Sequence, residues 1–247
     1  MFTPVTSFGP VAPYYDELMA AVPYRMWVGY YLLLLAQQDK HPTKILDVCC
    51  GTGTMTEMLH REGFEMTGID LSPAMIEQAK KKAAARKLPI RYECMDASTF
   101  ELGETFDAAL SFFDSLNNII EPERFQMALN QVAKHLKPGG SFIFDLNTAY
   151  AFEEKMFNQK RLHPRAKLRY DWKGEWDPET RLITVRMEFW HNGERFEEVH
   201  VQRAYEEEEV REMLRKAGFV DIRAYNSYTL DRLRKRSDRA HYAAIRL

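Results

Sequence analysis

The chain has 247 residues, enough for one domain carrying a sizeable insertion. An apolar share of 45%, a charged share of 28% and a net charge of -2 fit a globular protein in water, and they remove any electrostatic reason to expect nucleic acid or an anionic membrane as the main partner. The cysteines are the adjacent pair Cys49 and Cys50, plus Cys94; with no C-x-x-C spacing, histidine cluster, secretory signal or membrane-length apolar run, we expect no disulfide framework, no metal, no membrane partner and a cytoplasmic setting.

Residues 1–13, rich in Pro and Gly, read as a loosely structured lead. Two helical stretches follow, with Pro23 ending or kinking the first. Tyr14, Tyr15, Tyr24, Trp27, Tyr30 and Tyr31 make this segment aromatic. The rings either pack a covering helix onto the core, or some of them, Tyr14 and Trp27 first, close over a cationic cofactor, whose charge a ring face attracts.

The chain is organised around ILDVCCGTGTMTE, residues 45–57. An apolar strand over 44–48 carries Asp47 near its end, a glycine turn with Gly51 and Gly53 follows, and a helix opens over 54–61. A buried strand that stops at a glycine turn and feeds a helix is a nucleotide-binding corner. A dinucleotide site wants a third glycine in G-x-G-x-x-G, where this chain has Thr56. The Asp47 carboxylate would repel a pyrophosphate but could hydrogen-bond an ammonium group. S-adenosylmethionine carries an ammonium, a carboxylate and a sulfonium and no phosphate, so it suits this corner better than a nicotinamide cofactor does.

The second strand, FEMTGIDL, ends at Asp70, about 20 residues past the glycine turn, where a carboxylate can accept both ribose hydroxyls. Ser72 and Pro73 then cap and open a helix. PIRYECMDAS is the third strand, and Asp96 at its end is placed to accept the exocyclic amine of adenine; either acid could instead only cap a turn. A fourth strand over 106–112 runs into the polar loop Asp114-Ser115-Leu116-Asn117-Asn118. A helix over 121–136 ends at Lys137-Pro138-Gly139-Gly140, read as a turn, and SFIFDLN is the fifth strand. This alternation predicts a parallel sheet with helices on both faces, so that the strand-end acids converge on one crevice.

After residue 147 the alternation breaks. Three strand-like runs, AKLRYDWKGEW, RLITVRMEFWH and ERFEEVHVQRAY, are joined by Asp177-Pro178-Glu179-Thr180 and by the hairpin dipeptide Asn192-Gly193. They predict an inserted antiparallel meander that serves as a lid over the crevice, or as a structural appendage or dimer surface. A helix within EEEEVREMLRKAGF and strands over 219–225 and 241–247 complete the domain, with LDRLRKRSDR as a solvated charged loop between those strands.

The segments LDVCCGTGTMTEML, GIDLSPAMIEQAK, ECMDAS, FDAALSFFDSLNNI and ALNQVAKHLKPGGSFIFDLNT, in this order over residues 44–147, resemble the class I S-adenosylmethionine-dependent methyltransferases. YEEEEVREMLRKAGF with its closing hairpin is similar too. The resemblance implies an α/β fold: a doubly wound, mostly parallel, Rossmann-like sheet of seven strands, the last antiparallel. It implies that Asp47, Gly51 and Gly53 border the methionine moiety, where Cys49, in a pair that often holds a smaller residue, slightly narrows the room. Asp70 would take the ribose hydroxyls with Leu71 and Met75 beside the adenosine. Asp96 would take the adenine amine with Ala97 next to the ring, and Phe112 would face the methyl group. The expected division is a helical cover over 1–43, the cofactor-binding core over 44–147, the lid over 148–204, and the completion of the core over 205–247.

DSLNN follows the fourth strand. Methyltransferases acting on exocyclic amines of nucleic acids typically have there Asn, Asp or Ser, then Pro-Pro and an aromatic, and no basic stripe is evident either. The expected acceptor is therefore a small molecule, methylated at O or N. The alternatives are an RNA or protein acceptor and a non-catalytic cofactor-binding or assembly role; a homodimer through the inserted sheet is a further expectation. Asp114, His163 and His191 are candidate general bases without an evident partner, so no catalytic residue is assigned. Asp70→Ala should weaken S-adenosylmethionine binding at least tenfold in calorimetry, a loss of about 1.4 kcal/mol; unchanged affinity would remove Asp70 from the site.

Overall fold

The computed structural model describes residues 8–163 and 166–247. Of the lead expected over 1–13, residues 1–7 lie outside that range; Ala12–Tyr14 is a short 3-10 turn feeding α1 (Tyr15–Leu18). Pro23 caps α2 (Tyr24–Gln37), so the proline opens the second helix. The core then alternates as expected: β1 (Lys44–Val48), α3 (Thr54–Arg61), β2 (Glu65–Asp70), α4 (Pro73–Ala85), β3 (Arg91–Cys94), β4 (Phe106–Ser111), α5 (Pro122–His135) and β5 (Leu136–Asn147). Ser72 caps α4 by accepting the Met75 amide, the bond expected of a hydroxyl just before a first-turn proline.

Then come α6 (Ala149–Glu153), β6 (Gln159–Arg161), β7 (Leu168–Asp177), β8 (Leu182–His191), β9 (Glu194–Arg203), α7 (Glu207–Lys216), β10 (Phe219–Asn226) and β11 (Arg239–Arg246). The main sheet has seven strands in the order β10-β11-β5-β4-β1-β2-β3. Only β11 runs antiparallel to its neighbours. Its strands are apolar on both faces because helices cover both. Ile45 and Ile143 face α2 and α3, whereas Leu46, Phe142 and Phe144 face α5 and α7.

Two details differ from the sequence reading. Lys137-Pro138-Gly139-Gly140 turns as expected, with Gly139 at φ 79, but within β5, as a bulge where the register against β4 shifts. A Cβ on Gly140 would stand 2.8 Å from the Lys137 carbonyl, so this arch requires glycine. The second sheet has four strands, β6-β7-β8-β9, because the exposed triplet Gln159–Arg161 pairs with β7. Asn192 and Gly193 both have positive φ, as a two-residue hairpin demands.

The inner face of this second sheet packs against Val11, Ala12, Met75 and Phe152. Asn117, fully buried in the loop after β4, donates to the carbonyls of Asn147 and Arg203 and so ties the end of β9 to the core. At the head of α3, Gly53 has φ 75, and a Cβ there would lie 2.4 Å from the Tyr92 hydroxyl. Gly53→Ala should therefore cost about 1–3 kcal/mol in urea unfolding; a change within error would mean that the packing of α3 on β3 is looser than the structure has it.

Candidate functional site

The C-terminal ends of β1 to β4 open on a cavity of about 570 Å³. Asp47, at the end of β1, is almost wholly buried and accepts a 2.6 Å hydrogen bond from the Thr56 hydroxyl. Burial pushes its carboxyl up to about 7; the Thr56 bond opposes that rise and the charge of Asp70 adds to it. Asp70, ending β2, accepts the amides of Gly51 at 2.9 Å and Ser72 at 2.8 Å, yet burial still raises its pKa. Beyond β3, burial works against the charge of Asp96 too, but Ser98 and the Arg124 guanidinium outweigh it and hold this carboxyl below its usual range.

The walls are aromatic and strained. Trp27 lies 5.0 Å from Phe113 and stacks on Tyr228 at 5.8 Å. Cys49, Phe113 and Asp114 all have positive φ without being glycine. Each costs about 1–3 kcal/mol and persists only where its surroundings hold it. Burial raises both thiols, Cys49 and Cys50, well above the ordinary value, so neither serves as a thiolate at neutral pH.

The N-terminal segment and the antiparallel sheet form the roof. Asp16 accepts from the Thr52 hydroxyl at 2.6 Å and from Lys82 at 2.7 Å, fastening α1 to the glycine turn and to α4. Glu198 on β9 accepts the amides of Phe8 at 3.1 Å and Val11 at 2.8 Å, and His200 Nε2 at 2.6 Å. Below the roof, Arg239 pairs with Asp114 and with the fully buried Asp145. Gln202 completes this network by donating to Asp114 Oδ2 at 2.8 Å.

Of the expected site residues, Trp27, Asp47, Cys49, Gly51, Asp70, Leu71, Met75, Asp96, Ala97 and Phe112 line the cavity. Tyr14 does not; it stacks outside on His191 and Phe196, and the neighbouring Tyr15 faces inward instead. Gly53 is not in the lining either, its place being the packing of α3 against Tyr92. Among the three candidate bases Asp114 lines the cavity, while His163 and His191 do not. Tyr15, named among the N-terminal rings but not put first, lines it, and so do Trp172, His200, Gln202 and Arg239, which the sequence reading missed. One signal was available: EVHVQ in β9 alternates polar and apolar residues, and here the polar set faces in.

Among the described residues no group of His, Cys, Asp and Glu could hold a metal ion, and no helix is long and apolar enough to cross a membrane. Arg239→Ala would leave two buried carboxylates without their cation and should cost about 3–5 kcal/mol in urea unfolding. A loss below about 1 kcal/mol would show that these carboxylates do not depend on it.

A family model described as a methyltransferase domain matches residues 45–140. YqeM of Bacillus subtilis (strain 168), named as a putative methyltransferase, is 30% identical over 239 residues, covering 94% of each chain. A dTDP-3-amino-3,4,6-trideoxy-alpha-D-glucopyranose N,N-dimethyltransferase of Streptomyces venezuelae is 31% identical over 112 residues, 45% of this chain and 46% of that one. Among solved structures, an S-adenosylmethionine-dependent methyltransferase from Clostridium acetobutylicum ATCC 824 superposes with a TM-score of 0.83 at 27% identity, covering 96% of this chain and 98% of that one. The strand order, the acid-lined crevice and these similarities agree: the chain belongs to the class I S-adenosylmethionine-dependent methyltransferases.

Proposed function

We propose that this methyltransferase acts on an oxygen or nitrogen of a small molecule held between the strand-end crevice and the inner face of the antiparallel sheet. The observation that carries this reading is the shared cavity. Trp172, Met187 and Phe189 of the sheet line the same space as Asp47 and Asp70 of the core. Its volume of about 570 Å³ falls within the roughly 300–1,000 Å³ of small-ligand sites. On this reading segment 148–204 is a lid, since its inner face is occupied in closing the crevice. The Streptomyces venezuelae relative, named for a dTDP-linked amino-sugar acceptor, supports a small-molecule acceptor.

The lining chemistry fits the cofactor. Its acids are Asp47, Asp70, Asp96, Asp114, Glu121 and Asp238, and among the described lining residues Arg124 and Arg239 are each already ion-paired. Such a surface suits a cationic ligand and gives a pyrophosphate nothing to pair with. When bound, S-adenosylmethionine supplies a methyl group on a sulfonium. Asp47 would hold the ammonium beside Gly51 and Cys49, and Asp70 the ribose hydroxyls. Asp96 would take the adenine amine, with Leu71, Met75 and Ala97 beside the ring system. Trp27 and Phe112 would border the reacting end. The protein's contribution is then position and exclusion of water; well-oriented pairing accounts for roughly 7–11 kcal/mol of a barrier.

Calorimetry should show S-adenosylmethionine binding and no NADH binding, and S-adenosylhomocysteine should be released with members of a metabolite panel. Turnover confined to RNA or protein would overturn the small-molecule reading. The free protein holds Asp47 near pKa 7, and pairing with an ammonium favours the ionised form, so binding below that pH expels a proton. Affinity should therefore climb up to about tenfold between pH 6 and pH 8 and level off above. A flat profile would take Asp47 out of the contact.

A further inference from the structure

Strand β9 breaks the usual rule for a buried sheet face. Its inward residues Glu198, His200 and Gln202 are 2%, 8% and 6% exposed, while the outward Val199 is 45% exposed. Their neighbours on β8 are apolar: Met187 lies opposite Glu198, Val185 opposite His200, and Ile183 opposite Gln202. Polar residues at successive buried positions of one strand contradict its patterning, and such contradictions gather at functional sites.

The hydrogen bonds give these residues distinct states. Glu198 is met by two backbone amides and by the His200 ring, so the ring's Nε2 carries the proton. That leaves Nδ1 with a lone pair; among the described residues it has no partner, and His200 lines the cavity. Gln202 Oε1 and Trp172 Nε1 are buried and without partners, and both residues line the same cavity. The two carboxylates in contact with this strand are matched: Asp114 by Arg239 and Gln202, Glu198 by its amides and His200.

We propose that His200 is the general base for an uncharged hydroxyl acceptor, with Glu198 as its positioning residue. The proposal rests on the methyl-transfer reading above. The Nδ1 lone pair of His200 is the basic acceptor left on this strand for the proton of a substrate hydroxyl. A phosphate finds no unpaired cation there, since Arg124 and Arg239 are already ion-paired. In the step, the acceptor O–H bond breaks and its proton goes to Nδ1. The oxygen pair forms the bond to the methyl carbon while the carbon–sulfur pair stays on sulfur. The imidazolium, stabilised by Glu198, then loses its proton to water.

The test uses the full chain with phenol and benzyl alcohol as hydroxyl probes, benzylamine as a cationic amine and dTDP-glucose as a nucleotide-linked sugar. S-adenosylhomocysteine should form with a hydroxyl probe; release with none of them, or only with the amine or the nucleotide sugar, overturns the assignment. His200→Ala should lower kcat about 100-fold or more, leave KM and S-adenosylmethionine affinity within about twofold, and regain rate when imidazole is added. An unchanged kcat, or no rescue, overturns it. Independently of turnover, nitrogen NMR of labelled histidine should show the Nε2–H tautomer at His200, shifting to a mixture in Glu198→Ala. An Nδ1–H tautomer overturns the proposal. Failure of the unmodified protein to bind S-adenosylmethionine would instead strike the methyl-transfer reading.

Discussion

A carboxylate at the end of a buried strand costs free energy unless a hydrogen-bond donor or a cation meets it. The core meets that cost three ways around one cavity. Asp47 has a single hydroxyl donor and is pushed up to about 7; Asp70 has two backbone amides; Asp96 has Ser98 and a guanidinium. The result is a gradient, from a carboxyl that ionises readily beyond β3 to one that ionises reluctantly at β1. A ligand with a positive end at β1 relieves what the protein itself leaves unpaired. Thr56, where a dinucleotide site has glycine, is the donor that keeps Asp47 tolerable in the ligand-free protein.

The roof answers a different constraint. Neither the short N-terminal helices nor the antiparallel sheet carries a core of its own; they share a cluster in which Val11, Ala12 and Met75 meet Phe152, Val185 and Phe189. Glu198 and Asp16 fasten the N-terminal segment at two points, one on the sheet and one on the glycine turn. Cover and sheet therefore stabilise one another, and the cavity beneath depends on both being in place.

The parts of this arrangement that follow from local chemistry were legible in the sequence. A strand, a glycine turn and a helix leave a pattern at short range, and so do strand-end acids and an Asn-Gly hairpin. The roof was less so, for physical reasons. Tyr14 and Tyr15 are consecutive on a short helical segment and point in different directions, and only the docking of that segment decides which faces the cavity. Gly53 looks like a ligand-facing glycine until Tyr92, far along the chain, is seen to occupy the space beside it. Alternation in EVHVQ defines two faces of a strand but not which one will be covered. Gln159–Arg161 is too short and polar to announce itself as a strand. The buried pairing of Arg239 with Asp114 and Asp145 joins residues that only the antiparallel return of β11 brings together.

On the proposed reading the core sheet holds the cofactor, whereas three alternate side chains of β9 face that crevice from a separate sheet. Because side chains on a strand repeat every second residue, position 200 can change without disturbing the outer face of the strand, whereas 198 and 202 also hold the N-terminal segment and Asp114. The architecture thus separates two evolutionary problems. One sheet can stay constant in gripping a common donor, while drift along a few ångströms of the other retunes which molecule is modified.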